Sequence, residues 1–170
     1  MKNTKFKIDE NSGTYRVCES VTEHDILMMA RQLAQNRLAT GCIIECPAAA
    51  FTYLQVLMGS YENEVFGSVF LDTQHRIICF EELFRGSINA ANIYPREVVK
   101  KALSVNAAAV IFVHNHPSGE PEPSHADKHI TVQLREVLNL IEVRVLDHVV
   151  VGVKECISMR SEERRVGKEC

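Results

Sequence analysis

Two histidines separated by one residue follow an apolar run in the second half of the chain. The run Val110–Val113 is β-branched and aromatic, which is typical of a buried strand, and it leads directly to His114 and His116. Residues i and i+2 of a strand point to the same side. We therefore expect the two imidazoles to face one side at the end of this strand.

A carboxylate follows at a spacing that allows it to reach the same place. Three prolines and a glycine force a turn within residues 117–123, and a helical pattern begins after them with Ser124 as a good N-cap. Asp127 lies in the first turn of that helix. Strand end, loop and helix start can thus bring His114, His116 and Asp127 together. Two neutral imidazoles and a carboxylate leave a fourth position open on a tetrahedral zinc ion, as in catalytic zinc sites.

This spacing resembles a known metal-binding motif. The order is H-x-H, seven residues, Ser124, two residues and Asp127, and it resembles the JAMM motif of the JAB/MPN metalloprotease superfamily. The wider resemblance runs from about Glu62 to Gly152 and includes EVFGSVFLD, LFRGSINAANIYPREVVKKAL and VRVLDHVVVG. Asn115 lies between the two histidines, and an asparagine at this position resembles the RadC-like bacterial branch of the superfamily, the UPF0758 or YeeS-like proteins. The deubiquitinating members have Ser or Thr there, so the resemblance does not extend to recognition of ubiquitin-like substrates.

The resemblance implies both a fold and an activity. The fold is α/β (α+β), with a mixed, mainly antiparallel sheet flanked by helices in the JAB/MPN (cytidine-deaminase-like) architecture. The activity is that of a zinc-dependent metallopeptidase or isopeptidase-like hydrolase acting on a peptide or protein substrate whose identity the sequence does not give. One zinc ion would be held by His114, His116 and Asp127.

Two further residues receive catalytic roles by the same resemblance. Superfamily members carry a glutamate general base on an earlier strand, and Glu64 fits because Glu64-Val65-Phe66 matches their E-x-F pattern; Glu62 is the neighbouring candidate. The hydroxyl of Ser124 would steady the oxyanion formed during amide cleavage, a use that competes with capping the helix. On the last strand, Asp147 and His148 could orient a metal ligand, although we expect a structural role for this pair.

Other functions are compatible with parts of the pattern. A non-catalytic accessory or binding module associated with DNA repair, which retains a metal site, is the main alternative. A structural zinc site is disfavoured because the sequence offers only three good ligands and a glutamate. The consecutive His-Asn-His does not match the HNH nucleases, whose named residues are spread over a hairpin. A zinc deaminase would need H-x-E and P-C-x-x-C, which the chain lacks.

The composition sets broad limits on the class of protein. The chain of 170 residues suits one domain, and its 46% hydrophobic and 24% charged content is ordinary for a soluble globular protein. With 19 basic and 22 acidic residues the net charge is −3, which disfavours direct nucleic-acid binding without excluding it. No signal peptide or membrane segment is expected. Six scattered cysteines indicate reduced thiols and a cytoplasmic location.

The elements that must position the site follow from hydrophobic periodicity and capping signals. Helices are predicted at 23–36, 48–58, 96–104 and 124–141. Strands are predicted at 64–72, 76–84 and 110–113, with 143–153 as the final strand. Short strands are suggested at 14–18 and 42–44, and 87–94 suits either a strand or an extended loop.

We expect three parts along the chain. Residues 1–46 form an N-terminal lead and helix, and residues 47–154 form the JAB/MPN-like domain. Residues 155–170 form an atypical tail, disordered or foreign to the domain, because their charged composition has no apolar period.

Overall fold

The computed structural model describes residues 5–39, 41, 43, 47–86 and 93–160. Within these ranges the strands are β1 (Phe6–Asp9), β2 (Thr14–Val17), β3 (Val65–Leu71), β4 (Ile77–Arg85), β5 (Ala109–Asn115), β6 (Arg144–Val151) and β7 (Cys156–Ser158). The helices are α1 (Glu23–Arg37), α2 (Pro47–Met58), α3 (Pro95–Ser104) and α4 (His125–Asn139).

Five of the strands form one mixed sheet in the order β4-β3-β5-β6-β7. The β5–β6 pair is parallel, and the other pairs are antiparallel. The parallel pair needs a crossover connection, and α4 provides it. The predicted α/β class, with a mixed and mainly antiparallel sheet flanked by helices, is confirmed.

The sheet is covered on both faces by apolar side chains that alternate along each strand. On one face, β3, β5 and β6 pack against Leu54, Leu57 and Met58 of α2. On the other face, phenylalanines of β3 and β5 pack against α3 and α4, including Leu134 and Leu138. β5 is paired on both edges, and six of its seven residues are buried.

One prediction about the strands was wrong. Residues 143–153 are not the last strand, because β6 ends at Val151 and Cys156–Ser158 pairs antiparallel with it. The chain can reverse there because Gly152 donates its N–H to Glu155 O at 2.9 Å. The short strand predicted at 14–18 is confirmed as β2, and β1 precedes it and supplies its backbone partners in a hairpin.

Several other predictions concern residues at the edge of the described ranges. In the segment predicted as a strand at 42–44, Ile43 forms an isolated bridge with Arg76, whereas residues 42 and 44 lie outside the described residues. Residues 87–92, predicted as strand or loop, and residues 161–170 of the tail also lie outside them.

Cys18, Cys79 and Cys156 are free thiols. Among the described residues, no helix combines the length and apolar character needed to cross a bilayer.

The turn after β6 fixes the loop that follows β5. Val153 donates its N–H to Gly119 O at 3.2 Å, and Gly119 donates its own N–H to His116 O at 2.9 Å. Gly119 has a φ of +90°, a conformation that glycine adopts readily. A Cβ added at Gly152 would lie 2.5 Å from Gly119 O and 3.0 Å from Pro121. Backbone contact between the two glycines therefore determines where this loop sits.

Gly152→Ala is expected to lower the free energy of unfolding by roughly 1–3 kcal/mol, because the new methyl group must push the loop at Gly119 away. Urea denaturation measures the change. The control is Lys154→Ala in the same turn, where the side chain is exposed. Equal stability of the two variants would contradict the proposed contact.

Candidate metal centre

The two histidines lie at the end of the central strand and face α4. His114 is opposite Phe66 of β3 and Val150 of β6. His116 continues the parallel ladder past the end of β5, since its N–H donates to Val151 O at 2.9 Å. The predicted common side is observed, because the Nε2 atoms of His114 and His116 are 3.0 Å apart.

Asp127 reaches the same point from the first turn of α4. Its Oδ1 is 3.3 Å from His114 Nε2, and its Oδ2 is 3.5 Å from His116 Nε2. The ligand atoms of the three residues lie within 4.8 Å of one another, so this group can hold a metal ion. The prediction that strand end, loop and helix start bring these three side chains together is confirmed.

Ser124 and Asp127 form a capping box at the start of α4. The Ser124 N–H donates to Asp127 Oδ2 at 2.7 Å, and the Asp127 N–H donates to Ser124 Oγ at 3.2 Å. The Ser124 hydroxyl also donates to Asp127 Oδ2 at 2.6 Å. The cap thus fixes the carboxylate beside the histidines and occupies the hydroxyl hydrogen that a role at an oxyanion would need.

The tautomer of His116 follows from the hydrogen bond that its Nδ1 atom makes. Nδ1 is 2.8 Å from Glu120 O. A carbonyl oxygen can only accept, so Nδ1 carries the hydrogen. In the neutral imidazole, Nε2 then presents a lone pair to His114 and Asp127.

The tautomer of His114 follows from a chain of hydrogen bonds through α4 and β6. The Thr131 hydroxyl is 2.5 Å from Asp127 O, and it must donate there because the carbonyl cannot. Met159 Sδ, at 3.7 Å, is a much weaker competitor. The same hydroxyl is 2.5 Å from His148 Nδ1. Because its one hydrogen is already used, it accepts from His148 Nδ1–H.

His148 determines in turn which nitrogen of His114 carries the hydrogen. Its side chain is buried, and burial lowers its pKa well below the ordinary value, so the ring is neutral. With the hydrogen on Nδ1, His148 Nε2 accepts from His114 Nδ1 at 2.8 Å. In a neutral His114 the remaining Nε2 lone pair therefore faces His116 and Asp127. His148 thus contacts a candidate metal ligand, which is the alternative that the sequence left open for it. The Asp147 carboxylate instead accepts hydrogen bonds from the His148 N–H and the Ser158 hydroxyl.

Two facing lone pairs and a carboxylate require a positive charge between them. The hydrogen bond to Asp127 raises the pKa of His116, although burial opposes this. Burial acts to raise the pKa of Asp127, but hydrogen bonds with His114 and His116 hold it well below its usual range. The donor set of two Nε2 atoms and one carboxylate fits a divalent cation.

Glu64 lies immediately before β3 on the same face as the histidines. Continuing the register of Phe66 with His114 brings Glu64 opposite His116. The pKa of the Glu64 carboxyl is raised, mainly by burial. The charge of Asp127 also raises this pKa, whereas the charges of His114 and His116 lower it. Glu62, the other candidate, is exposed.

Thr131 and Asn115 were not assigned any part in the site from the sequence. The signal for Thr131 was its position one helical turn after Asp127, which puts both on the same side of α4. Asn115 alternates with the histidines along the strand, and its side chain points away from them. His125 and His129 are exposed on α4.

The comparison with protein families agrees with this geometry. The model for the RadC-like JAB domain matches residues 44–165. The chain belongs to the RadC-like JAB domain family. A UPF0758 protein of Vibrio cholerae serotype O1 is 51% identical over 138 residues, which cover 81% of this chain and 87% of the relative. A second one from the same organism is 48% identical over 145 residues, covering 85% and 92%. A UPF0758 protein of Halorhodospira halophila is 53% identical over 133 residues, covering 78% and 59%.

In this RadC-like JAB domain, Thr131→Val is expected to weaken divalent-metal binding about 10–100-fold, because His148 loses the partner that fixes its tautomer. Thr131→Ser keeps the hydroxyl and serves as the matched control. Competition against a chromophoric chelator, with Zn²⁺ as the probe metal, measures the affinity. The same affinity in both variants would exclude the hydroxyl from control of the ligand.

Proposed function

We propose that this RadC-like JAB domain protein is a zinc-dependent hydrolase of peptide or isopeptide bonds. One observation carries the proposal: two histidines, each with Nδ1 bonded to an acceptor, direct Nε2 toward one carboxylate. The JAB family assignment supports it. Three protein ligands with an open fourth position are typical of catalytic zinc sites.

His114, His116 and Asp127 would hold the single zinc ion. Zinc bound there supplies Lewis-acid polarisation of the scissile carbonyl and lowers the pKa of a bound water. The protein supplies the orientation of the three donors through Glu120 O, His148 and the Ser124 cap.

Glu64 would act as the general base and then as the general acid. Its raised pKa, caused mainly by burial, brings the carboxyl closer to the pH at which it can both take and return a proton. It would take a proton from the attacking water and deliver it to the leaving amine. Ser124 would assist at the oxyanion after its hydroxyl turns away from Asp127 Oδ2.

The substrate proposed is a peptide or protein, cleaved at an amide bond. The chain's net charge of −3 gives it no overall positive field for nucleic acid. We place the activity in the cytoplasm, where free thiols such as Cys18, Cys79 and Cys156 stay reduced.

Glu64→Gln is expected to lower the hydrolysis rate at least about 100-fold while the zinc content stays at the wild-type level, because the amide cannot accept the proton. Panels of peptide and isopeptide substrates provide the rate, and elemental analysis provides the zinc content.

Glu62→Gln is the matched control, two residues away and exposed. It is expected to keep both activity and zinc. If Glu64→Gln hydrolyses substrate as fast as Glu62→Gln, the assignment of the base is wrong.

A further inference from the structure

Asn115, between the two histidines, carries a buried amide that the metal ligands do not use. Asn115 is 2% exposed. Its side chain lies on the face of the sheet that packs against α2, opposite to the imidazoles of His114 and His116. A buried amide needs hydrogen-bond partners. The partners of Asn115 therefore indicate what this side chain does.

Among the described residues, the side chain of Asn115 bonds to backbone groups that lie between the end of α2 and the first residue of β3. Its Oδ1 accepts from the Val65 N–H at 2.8 Å, and its Nδ2 donates to Asn63 O at 3.1 Å and Tyr61 O at 3.4 Å. Residues 61, 63 and 65 are two apart along the chain, so the backbone groups that bond to Asn115 lie along one edge of the segment. It does so where β5 ends and the chain turns to pair His116 with Val151. The amide thus holds the segment next to the place where the pairing of β3 with β5 ends.

Glu64 lies in the middle of this held segment. The backbone groups on either side of it, at Asn63 and Val65, are bonded to Asn115. Its own carbonyl accepts from the Gly86 N–H at 2.8 Å, just beyond the end of β4. The backbone of Glu64 is therefore fixed from both sides, which leaves the side chain free to face the metal ligands.

The start of the segment is anchored as well. The Tyr61 hydroxyl donates to Glu82 at 2.5 Å and accepts from Arg31 at 3.1 Å. The segment is thus tied to β4 and α1 at one end and to β5 through Asn115 along its length. The amide of Asn115 adds a tie from the strand that carries the histidines.

We propose that Asn115 is a positioning residue, which holds Glu64 at a fixed location relative to His114 and His116. The inference rests on the role proposed above for Glu64 and goes beyond it, because it names what sets the geometry of the base. One strand end would thereby carry two functions in three consecutive residues: Asn115 positions the base, and the histidines on either side of it hold the metal. A purely structural amide would stabilise the fold without setting the position of Glu64.

The first test follows Glu64 without requiring turnover. The side-chain carboxyl ¹³C resonance of Glu64, assigned by its absence in Glu64→Gln, is expected to shift when Zn²⁺ is added to the wild type. In Asn115→Ala we expect less than half of this response, and the amides of Val65 and Gly86 should exchange at least about tenfold faster. Zinc affinity should stay within about threefold, since the ligands lie on the other face.

Ser68→Ala is the matched control for this test. Ser68 is a fully buried polar residue of β3, and its hydroxyl donates to Ile111 O of β5 at 3.5 Å. It loses a buried hydrogen bond but should keep the wild-type Glu64 response. A wild-type response in Asn115→Ala would overturn the proposal. So would a loss of zinc affinity in that variant, because Asn115 would then act on the ligands.

The second test uses kinetics with a cleavable peptide. Asn115→Ala is expected to lower kcat about 10–100-fold with KM nearly unchanged, because the base is displaced while the binding surface is not. Combined with Glu64→Gln, it should cause no further loss. A further loss of similar size would show that Asn115 acts by another route. If the wild type cleaves no substrate while the ¹³C response still depends on Asn115, the proposed function fails and the positioning role stands.

Discussion

The site depends on hydrogen bonds whose direction is fixed at their far ends. The carbonyls of Glu120 and Asp127 can only accept, and the Thr131 hydroxyl and His148 carry that constraint to His114. Each neutral imidazole has one N–H, so both Nε2 lone pairs converge next to Asp127. A cation between them is what this arrangement stabilises, and in the proposed function that cation is a metal ion.

The strand β5 connects this local constraint to the rest of the fold. It is paired with β3 on one edge and β6 on the other, and both faces are covered by helices. His114 and His116 therefore face α4, whereas Asn115 faces the connection after α2. A slip of one residue in register would exchange the two faces and separate the histidines from Asp127. The core packing that fixes the register also fixes the chemistry.

The sequence predicts that His114, His116 and Asp127 come together, because each part of this arrangement has a local signal. Alternation in a strand gives the common side of the histidines, and the N-cap pattern gives the helix start that carries Asp127. The contacts of Thr131, His148 and Asn115 have no local signal, since they depend on how α4 and the α2–β3 connection pack against β5 and β6. The strand Cys156–Ser158 was missed because three residues are too few to show a period.

The most direct test of the account is the metal content of protein purified without chelator, measured by elemental analysis. The account predicts about one zinc per chain in the wild type and in the control His129→Ala, whose histidine is exposed on α4, and loss of zinc in the double variant His116→Ala with Asp127→Ala. Absence of metal from every variant after zinc is added back, or equal metal in the double variant, would contradict it.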